Sequence, residues 1–155
     1  MDLTFKTQKG KFNYRVGAII IKDGKLLMVR NTGSDYYYSV GGRVKFDEDS
    51  ENAVIRETAE ETGAKMSVDR LIAIHENFFT EKEHYHEISF YYIMNVPENF
   101  VPLCKSHTDL GESESLEWLE IEKLDSYKHY PHFLKELILN PTNQVQHIVT
   151  NQEKK

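Results

Sequence analysis

Apolar residues along this chain change their spacing several times, and each change marks an element. Val16 to Lys22 and Lys25 to Arg30 are β-branched or aliphatic runs separated by Asp23-Gly24. That dipeptide suits a two-residue hairpin loop, so the pattern predicts two antiparallel strands. Asn31 to Asp35 is small and polar, a loop by composition, and Tyr36 to Val40 resumes as a short aromatic strand running into Gly41-Gly42. Two longer strands are predicted further on, Leu71 to Phe79 and His86 to Val96, the second with Ile88, Phe90, Tyr92 and Met94 in alternation. Thr80 to His84 forms the polar tip between them. Pro97 and Pro102 argue against regular structure from Pro97 to Gly111. Ser115 to Ile121 alternates again, with Leu116, Trp118 and Glu120 on one face and Glu117, Leu119 and Ile121 on the other, and the pattern alone does not say which is buried. Pro131 suits the first position of a last helix, with Phe133, Leu134, Leu137 and Ile138 as its apolar stripe and Asn140-Pro141 as its stop. From Thr142 the chain reads as a loose polar tail, with a short edge strand over Val145 to Val149 as the alternative.

One helix is predicted among the strands, capped by Asp49 at its start and by Gly63 at its end. Ile55, Ala59 and Thr62 are small enough for one side of it to pack closely on a sheet, with Ala53 and Val54 flanking the opposite side. That opposite side carries Glu57, Glu60 and Glu61, at i, i+3 and i+4. Each such like-charge pair costs an exposed helix about 0.2 to 0.5 kcal/mol. A solvated acidic face is the ordinary reading of such a run. A hard divalent cation such as Mg²⁺, which takes oxygen ligands, would reverse the sign of that interaction. A helix embedded between strands, hairpin and crossover connections, and a C-terminal helix together predict an α+β chain arranged as an α/β/α sandwich around a mixed sheet.

Composition narrows the picture. With 155 residues, 39% hydrophobic and 28% charged, the chain suits one domain over 1–155, with a core from about 14 to 140 and a polar tail over 141–155. The formal net charge of −6 gives no overall attraction for polyphosphates, so a metal would have to mediate their binding. Basic clusters are too sparse for a nucleic-acid groove. Cys104 is the only cysteine, which excludes an intramolecular disulfide and suits a reducing compartment. The opening MDLTFKTQKGKFNYR has no apolar signal core, and no apolar run approaches the roughly 18 to 20 residues of a membrane span. The expectation is a cytoplasmic protein with no membrane partner.

The spacing around the acidic helix is the most specific feature. It reads Gly42, five residues, Glu48, seven residues, Arg56-Glu57-Thr58, one residue, Glu60-Glu61, one residue, Gly63-Ala64. At every glycine and charged position this matches the Nudix box G-x5-E-x7-R-E-U-x-E-E-x-G-U, where U is a bulky aliphatic residue. The chain therefore resembles a Nudix hydrolase of the MutT/Nudix type. Thr58 and Ala64 depart from the aliphatic preference, Val40 stands where many members carry proline, and Lys45 occupies a position that is often acidic; none of these removes a carboxylate. The resemblance runs from about Val16 to Leu139, and only the box is specific.

The resemblance implies a central catalytic helix in an α/β/α sandwich, Mg²⁺ as cofactor with Mn²⁺ as a substitute, and a homodimer as a candidate assembly. It implies hydrolysis of a pyrophosphate bond in a nucleoside diphosphate linked to another moiety. On matching positions, Glu57 and Glu61 are the implied metal ligands, Glu60 a further ligand or a base for the attacking water, and the Gly41 carbonyl a completion of the shell. Glu48 is implied to support the loop or a further metal, and Arg56 to orient a neighbouring glutamate. Gly42, Arg43 and Lys45, beside or within the box, are candidates for substrate phosphate, with ordinary surface cations as the alternative reading of the last two. Many members place another glutamate before the strand that carries a tryptophan. Of Glu112, Glu114 and Glu117, which precede Trp118, Glu112 beside Gly111 is preferred.

The ADP-ribose and diadenosine polyphosphate branches tend to mark themselves with a proline or tyrosine shortly beyond the box. Glu76 to His84 holds neither, which favours a nucleoside triphosphate, oxidised or not, over ADP-ribose or a nucleotide sugar. All four glutamates of the box remain, which argues against a non-catalytic nucleotide-binding regulatory module. Two other readings are weaker than core packing: a zinc site from His75, His84 and His86, and base stacking by Tyr36, Tyr37, Tyr38, Phe78, Phe79 or Tyr85.

Overall fold

The computed structural model describes residues 1–102, 106, 107 and 113–152. Its strands are β1 (Thr4–Thr7), β2 (Gly10–Ile19), β3 (Ile21–Lys22), β4 (Lys25–Asn31) and β5 (Tyr37–Arg43) before helix α1 (Ser50–Thr62). After the helix come β6 (Val68–Thr80), β7 (His84–Met94), β8 (Ser106–His107), β9 (Ser113–Glu120), a 3-10 turn over Ile121–Ser126, β10 (His129–Tyr130), helix α2 (Leu134–Leu139) and β11 (Gln146–Asn151). The main path of the mixed sheet runs β11-β6-β7-β2-β5-β4-β9-β8. No helix among the described residues is long and apolar enough to cross a membrane.

Alternation along the strands separates two cores. Val16, Ala18 and Ile20 of the β2–β3 segment, with Leu27 and Val29 of β4, pack with Val40, Ala53 and Val54 on the α1 side. Ile19, Leu26 and Met28 point the other way and pack with Ile72, Tyr91, Leu124 and Leu134 on the α2 side. The α+β sandwich expected from the sequence is the architecture found. Strand β9 serves both cores at once, Leu116 and Trp118 on the α1 side and Leu119 on the other, which is why its pattern was ambiguous.

The Asp23-Gly24 hairpin is present, with both residues at positive φ (53° and 73°) as a primed two-residue turn requires. Several boundaries differ from the sequence expectation. Strand β2 begins six residues earlier than Val16 because its first half pairs with β1, an element the sequence reading missed. Helix α2 begins at Leu134, not at Pro131, which lies in the turn before it. The segment after Thr142 takes the edge-strand alternative, with β11 adding in parallel to β6.

His75 ties this edge together. It is 4% exposed, its Nε2 meets Thr150 Oγ1 at 2.9 Å, and its ring packs edge-on against Phe133. Burial pushes its imidazole down to about 4. Because the folded value lies below the unfolded one of about 6.5, the unfolded chain takes up the proton first, and stability present above that value is lost as pH falls toward 4. Unfolding free energy is expected to drop by about 2 kcal/mol between pH 7 and pH 5 in urea titrations, and His75→Gln to remove most of that slope. An unchanged slope in the variant would assign the acid sensitivity elsewhere.

Candidate active site

Helix α1 begins at the Asp49 cap, whose Oδ1 accepts from Asn52 N at 2.7 Å, and ends at Gly63, in the left-handed region at φ 79°, whose N–H donates to the Ala59 carbonyl. The helix buries Ala53, Val54, Thr58 and Thr62. This differs from the expected face: Ala53 and Val54 are core, while Ile55 and Ala59 are only partly covered. The consequence is that Glu57 and Glu61 lie beside the buried stripe and face the sheet, while Glu60 is exposed.

Glu57 comes down on Gly42. A Cβ at Gly42 would fall inside the Glu57 carboxylate, so this glycine is a vacancy that the acid fills. Arg56 spans the cluster. Its Nε and Nη2 donate to the two oxygens of Glu48 (2.7 and 2.9 Å), its Nη1 donates to Glu57 Oε1 (2.9 Å) and more distantly to Glu60 (3.4 Å), and Nη2 also reaches the Arg43 carbonyl (3.0 Å). Glu48 Oε1 accepts as well from the Lys45 N–H at 3.0 Å. The Arg56 hydrogen bonds hold the Glu48 carboxyl down at about 2.

Glu57 and Glu61 are driven the other way. Burial pushes the Glu57 carboxyl above its usual range in spite of Arg56. Burial, followed by the charges of Glu114 and Glu57, pushes Glu61 well above it, while the Gly41 N–H and the Arg15 guanidinium act in opposition. Glu61 Oε2 is buried and has no hydrogen-bond partner. Glu114 on β9 shares its face with Leu116 and Trp118 and therefore looks toward α1. Tyr38 stands with it: its hydroxyl donates to Asn31 Oδ1 at 2.9 Å, and burial, then the Glu114 and Glu61 charges, raise its phenol.

Other expected residues are placed elsewhere. Glu117 faces the α2 side, 3.6 Å from Arg30. Glu112 and Gly111 lie outside the described residues, as does Cys104. The three histidines are engaged separately, His75 as above, His84 with Thr80 Oγ1 at 3.2 Å, and His86 between the rings of Phe12 and Phe78. A cavity of about 510 Å³ bordered by Ile55, Lys65, Met66 and Asn95 includes none of the carboxylates, so cavity volume does not locate the chemistry.

The model of the NUDIX domain matches residues 11–139. The chain belongs to that family. A MutT-like protein of Streptomyces ambofaciens is 36% identical over 61 residues, which is 39% of this chain and 40% of that protein, so the match spans less than half of its relative. A UDP-X diphosphatase superposes with a TM-score of 0.62 at 21% identity over 88% of this chain and 66% of its own. The MutT protein from Methanosarcina mazei Go1 gives 0.63 at 21% identity over 86% and 94%. At these identities the two structures speak for the Nudix fold.

Nudix hydrolases generally use divalent cations, and the donors here suit one. Among the described residues no three acidic, histidine or cysteine side chains already form a ligand shell. Yet an orphaned carboxylate oxygen sits in a buried position beside two further negative charges, and the Gly42 vacancy brings Glu57 next to it. Hard oxygen donors of like charge held together this way match the preferences of a divalent ion with oxygen ligands. Two residues whose charges bear on this cluster were not singled out from the sequence. Glu114 was weighed but not preferred, although its even-numbered register with Leu116 and Trp118 marks its face. Arg15 had no local signal, since its influence on Glu57 and Glu61 arises only from tertiary structure.

Proposed function

We propose that this chain hydrolyses a pyrophosphate bond in a nucleoside diphosphate linked to another moiety, releasing a nucleoside monophosphate with Mg²⁺, or Mn²⁺ in its place. The substrate we favour is a nucleoside triphosphate, oxidised on its base or not. The supporting observation is the buried, unpartnered Glu61 Oε2 beside Glu57 in a complete Nudix box. When bound, the cation neutralises phosphoryl oxygens and brings the pKa of a coordinated water toward neutrality. Glu57 and Glu61 hold it, with Gly41 beside them. Glu60, exposed and only loosely held by Arg56, adds a ligand or takes the proton of the attacking water. Both oxygens of Glu48 are engaged by Arg56, which leaves it as the brace of the Lys45–Glu48 turn. Gly42, Arg43 and Lys45 border the approach of the phosphates. Glu114 fills the role expected of a glutamate ahead of Trp118. The setting we propose is cytoplasmic, and the assembly a homodimer.

A nucleotide sugar is the second reading, because a UDP-X diphosphatase shares the fold. A panel of nucleoside triphosphates, their oxidised forms, nucleotide sugars, ADP-ribose and dinucleoside polyphosphates with Mg²⁺ separates these readings. The expected result is mononucleotide release from a triphosphate, abolished by EDTA. Tight binding of one compound without turnover of any would replace the hydrolase by a nucleotide-sensing module.

A further inference from the structure

A cluster of tyrosine rings lies on the same face of the sheet as the carboxylates. Tyr38 packs against the α1-side core, and the charges of Glu114 and Glu61 both bear on its phenol, so it borders the carboxylate site directly. Tyr130 of β10 pairs with Tyr38 in parallel register, which turns the two side chains to one face. Tyr36 closes the group. Its ring centroid is 6.3 Å from that of Tyr38 and 5.5 Å from that of Tyr130, which it meets edge-on.

Packing of the fold does not account for these rings. Among the described residues neither Tyr36 nor Tyr130 belongs to either core, and both stay partly open to solvent. Tyr37, between Tyr36 and Tyr38 in the chain, shows the contrast: it turns to the other face and packs on the α2-side core. Apolar side chains left singly on a surface are ordinary, whereas contiguous ones beside a charged site mark a place where something binds.

Their placement fits one part of a nucleotide. Tyr38 precedes Gly41 on β5 by three residues, about 10 Å at the rise of a strand. A nucleoside monophosphate spans that distance from its phosphate to its base. With the phosphates at Glu57 and Glu61, the base falls among these rings. A nucleobase is flat and apolar on its faces and polar at its edge, and a tyrosine answers both, with a ring to stack on and a hydroxyl for the edge. Stacking also needs no positive charge, which suits a chain of net charge −6.

We propose that Tyr36 and Tyr130, with Tyr38 on the side of the carboxylates, form the platform on which the nucleobase of the substrate stacks. The subsite rests on the hydrolase proposal above and deepens it: the chain recognises the nucleoside at this end, and prefers purines for their larger stacking face. The base lies away from the bond that breaks, so the contact contributes to substrate binding more than to the rate of cleavage.

Two comparisons separate the base from the phosphates. Guanosine, adenosine, uridine and ribose are titrated into the metal-free protein in EDTA and followed by NMR on the tyrosine ring signals. Wild type is expected to bind both purine nucleosides more tightly than uridine, and ribose not at all. Tyr36→Leu and Tyr130→Leu, which keep apolar volume and lose the ring, are each expected to weaken purine binding about tenfold, and Tyr130→Phe to keep most of it. In turnover with Mg²⁺, a purine nucleoside triphosphate is set against ribose 5-triphosphate, which has the same phosphates and no base. The advantage of the nucleoside triphosphate in kcat/KM is expected to shrink about tenfold in each leucine variant, through KM. A purely structural role for the rings would lower both substrates alike and overturn the subsite, as would a wild type that binds guanosine no better than ribose. A protein that stacks purines on these tyrosines but turns over no substrate keeps the subsite and removes the hydrolase reading; turnover that ignores the base does the opposite.

Discussion

Replacing Glu61 with glutamine is expected to lower kcat/KM by about a thousandfold while raising the melting temperature of the metal-free protein. Both effects come from one cause. The Glu61 carboxyl is forced up by burial and by Glu114 and Glu57, and its Oε2 has no partner. A buried group left unsatisfied costs about 1 to 3 kcal/mol, and more when it carries charge. Glutamine keeps the shape and an acceptor oxygen for the Gly41 N–H but removes the charge, so the fold gains what the site loses. The pH dependence has a definite sign. A carboxyl with a raised folded pKa favours folding while it is protonated, and that advantage is lost as pH rises from about 4.5 through the folded value. The gap in melting temperature between variant and wild type, measured in EDTA, is therefore expected to open as pH rises. Mg²⁺ is expected to stabilise wild type and not the variant. A variant that melts lower than wild type in EDTA, or that keeps full turnover, would contradict this account of the site.

What the sequence shows of this molecule follows the range of the forces involved. Helix α1 was legible because its limits are local: Asp49 caps one end with its own side chain, and Gly63 adopts the left-handed conformation at the other. The Asp23-Gly24 hairpin was legible for the same reason. Strands β1 and β11 were missed or read as tail because Thr4–Thr7 and Gln146–Asn151 are strands only by virtue of partners on β2 and β6. The site divides in the same way. Glu57, Glu60 and Glu61 are brought together by helical spacing alone, so the box revealed them. Glu114 reaches Glu61 only because β9 pairs with β4. The faces of α1 were assigned imperfectly because Ala53, Val54, Ile55 and Ala59 are all small or apolar, and only packing against the sheet decides which of them is covered.

Arg56→Gln is expected to damage both stability and turnover, costing about 2 to 4 kcal/mol and lowering kcat by about 10- to 100-fold. The side chain is 21% exposed and its partners Glu48 and Glu57 are 16% and 15% exposed, so the pairs are shielded enough for their loss to be felt in full. Without Arg56, whose hydrogen bonds hold the Glu48 carboxyl near 2, that carboxyl would rise toward its ordinary range, still below 7, and a largely buried charge would be left facing only the Lys45 N–H. Glu57 would lose the bond that fixes its orientation over Gly42. Lysine is not expected to rescue either defect, because one ammonium cannot grip both oxygens of Glu48 and also reach Glu57 and the Arg43 carbonyl. Urea denaturation of Arg56→Gln, Glu48→Gln and the double variant measures the coupling directly: the double variant is expected to be less destabilised than the sum of the two singles, because removing both partners leaves no stranded charge. Strict additivity, or wild-type stability and turnover in Arg56→Lys, would mean that the guanidinium fork is not what keeps Glu48 and Glu57 in place.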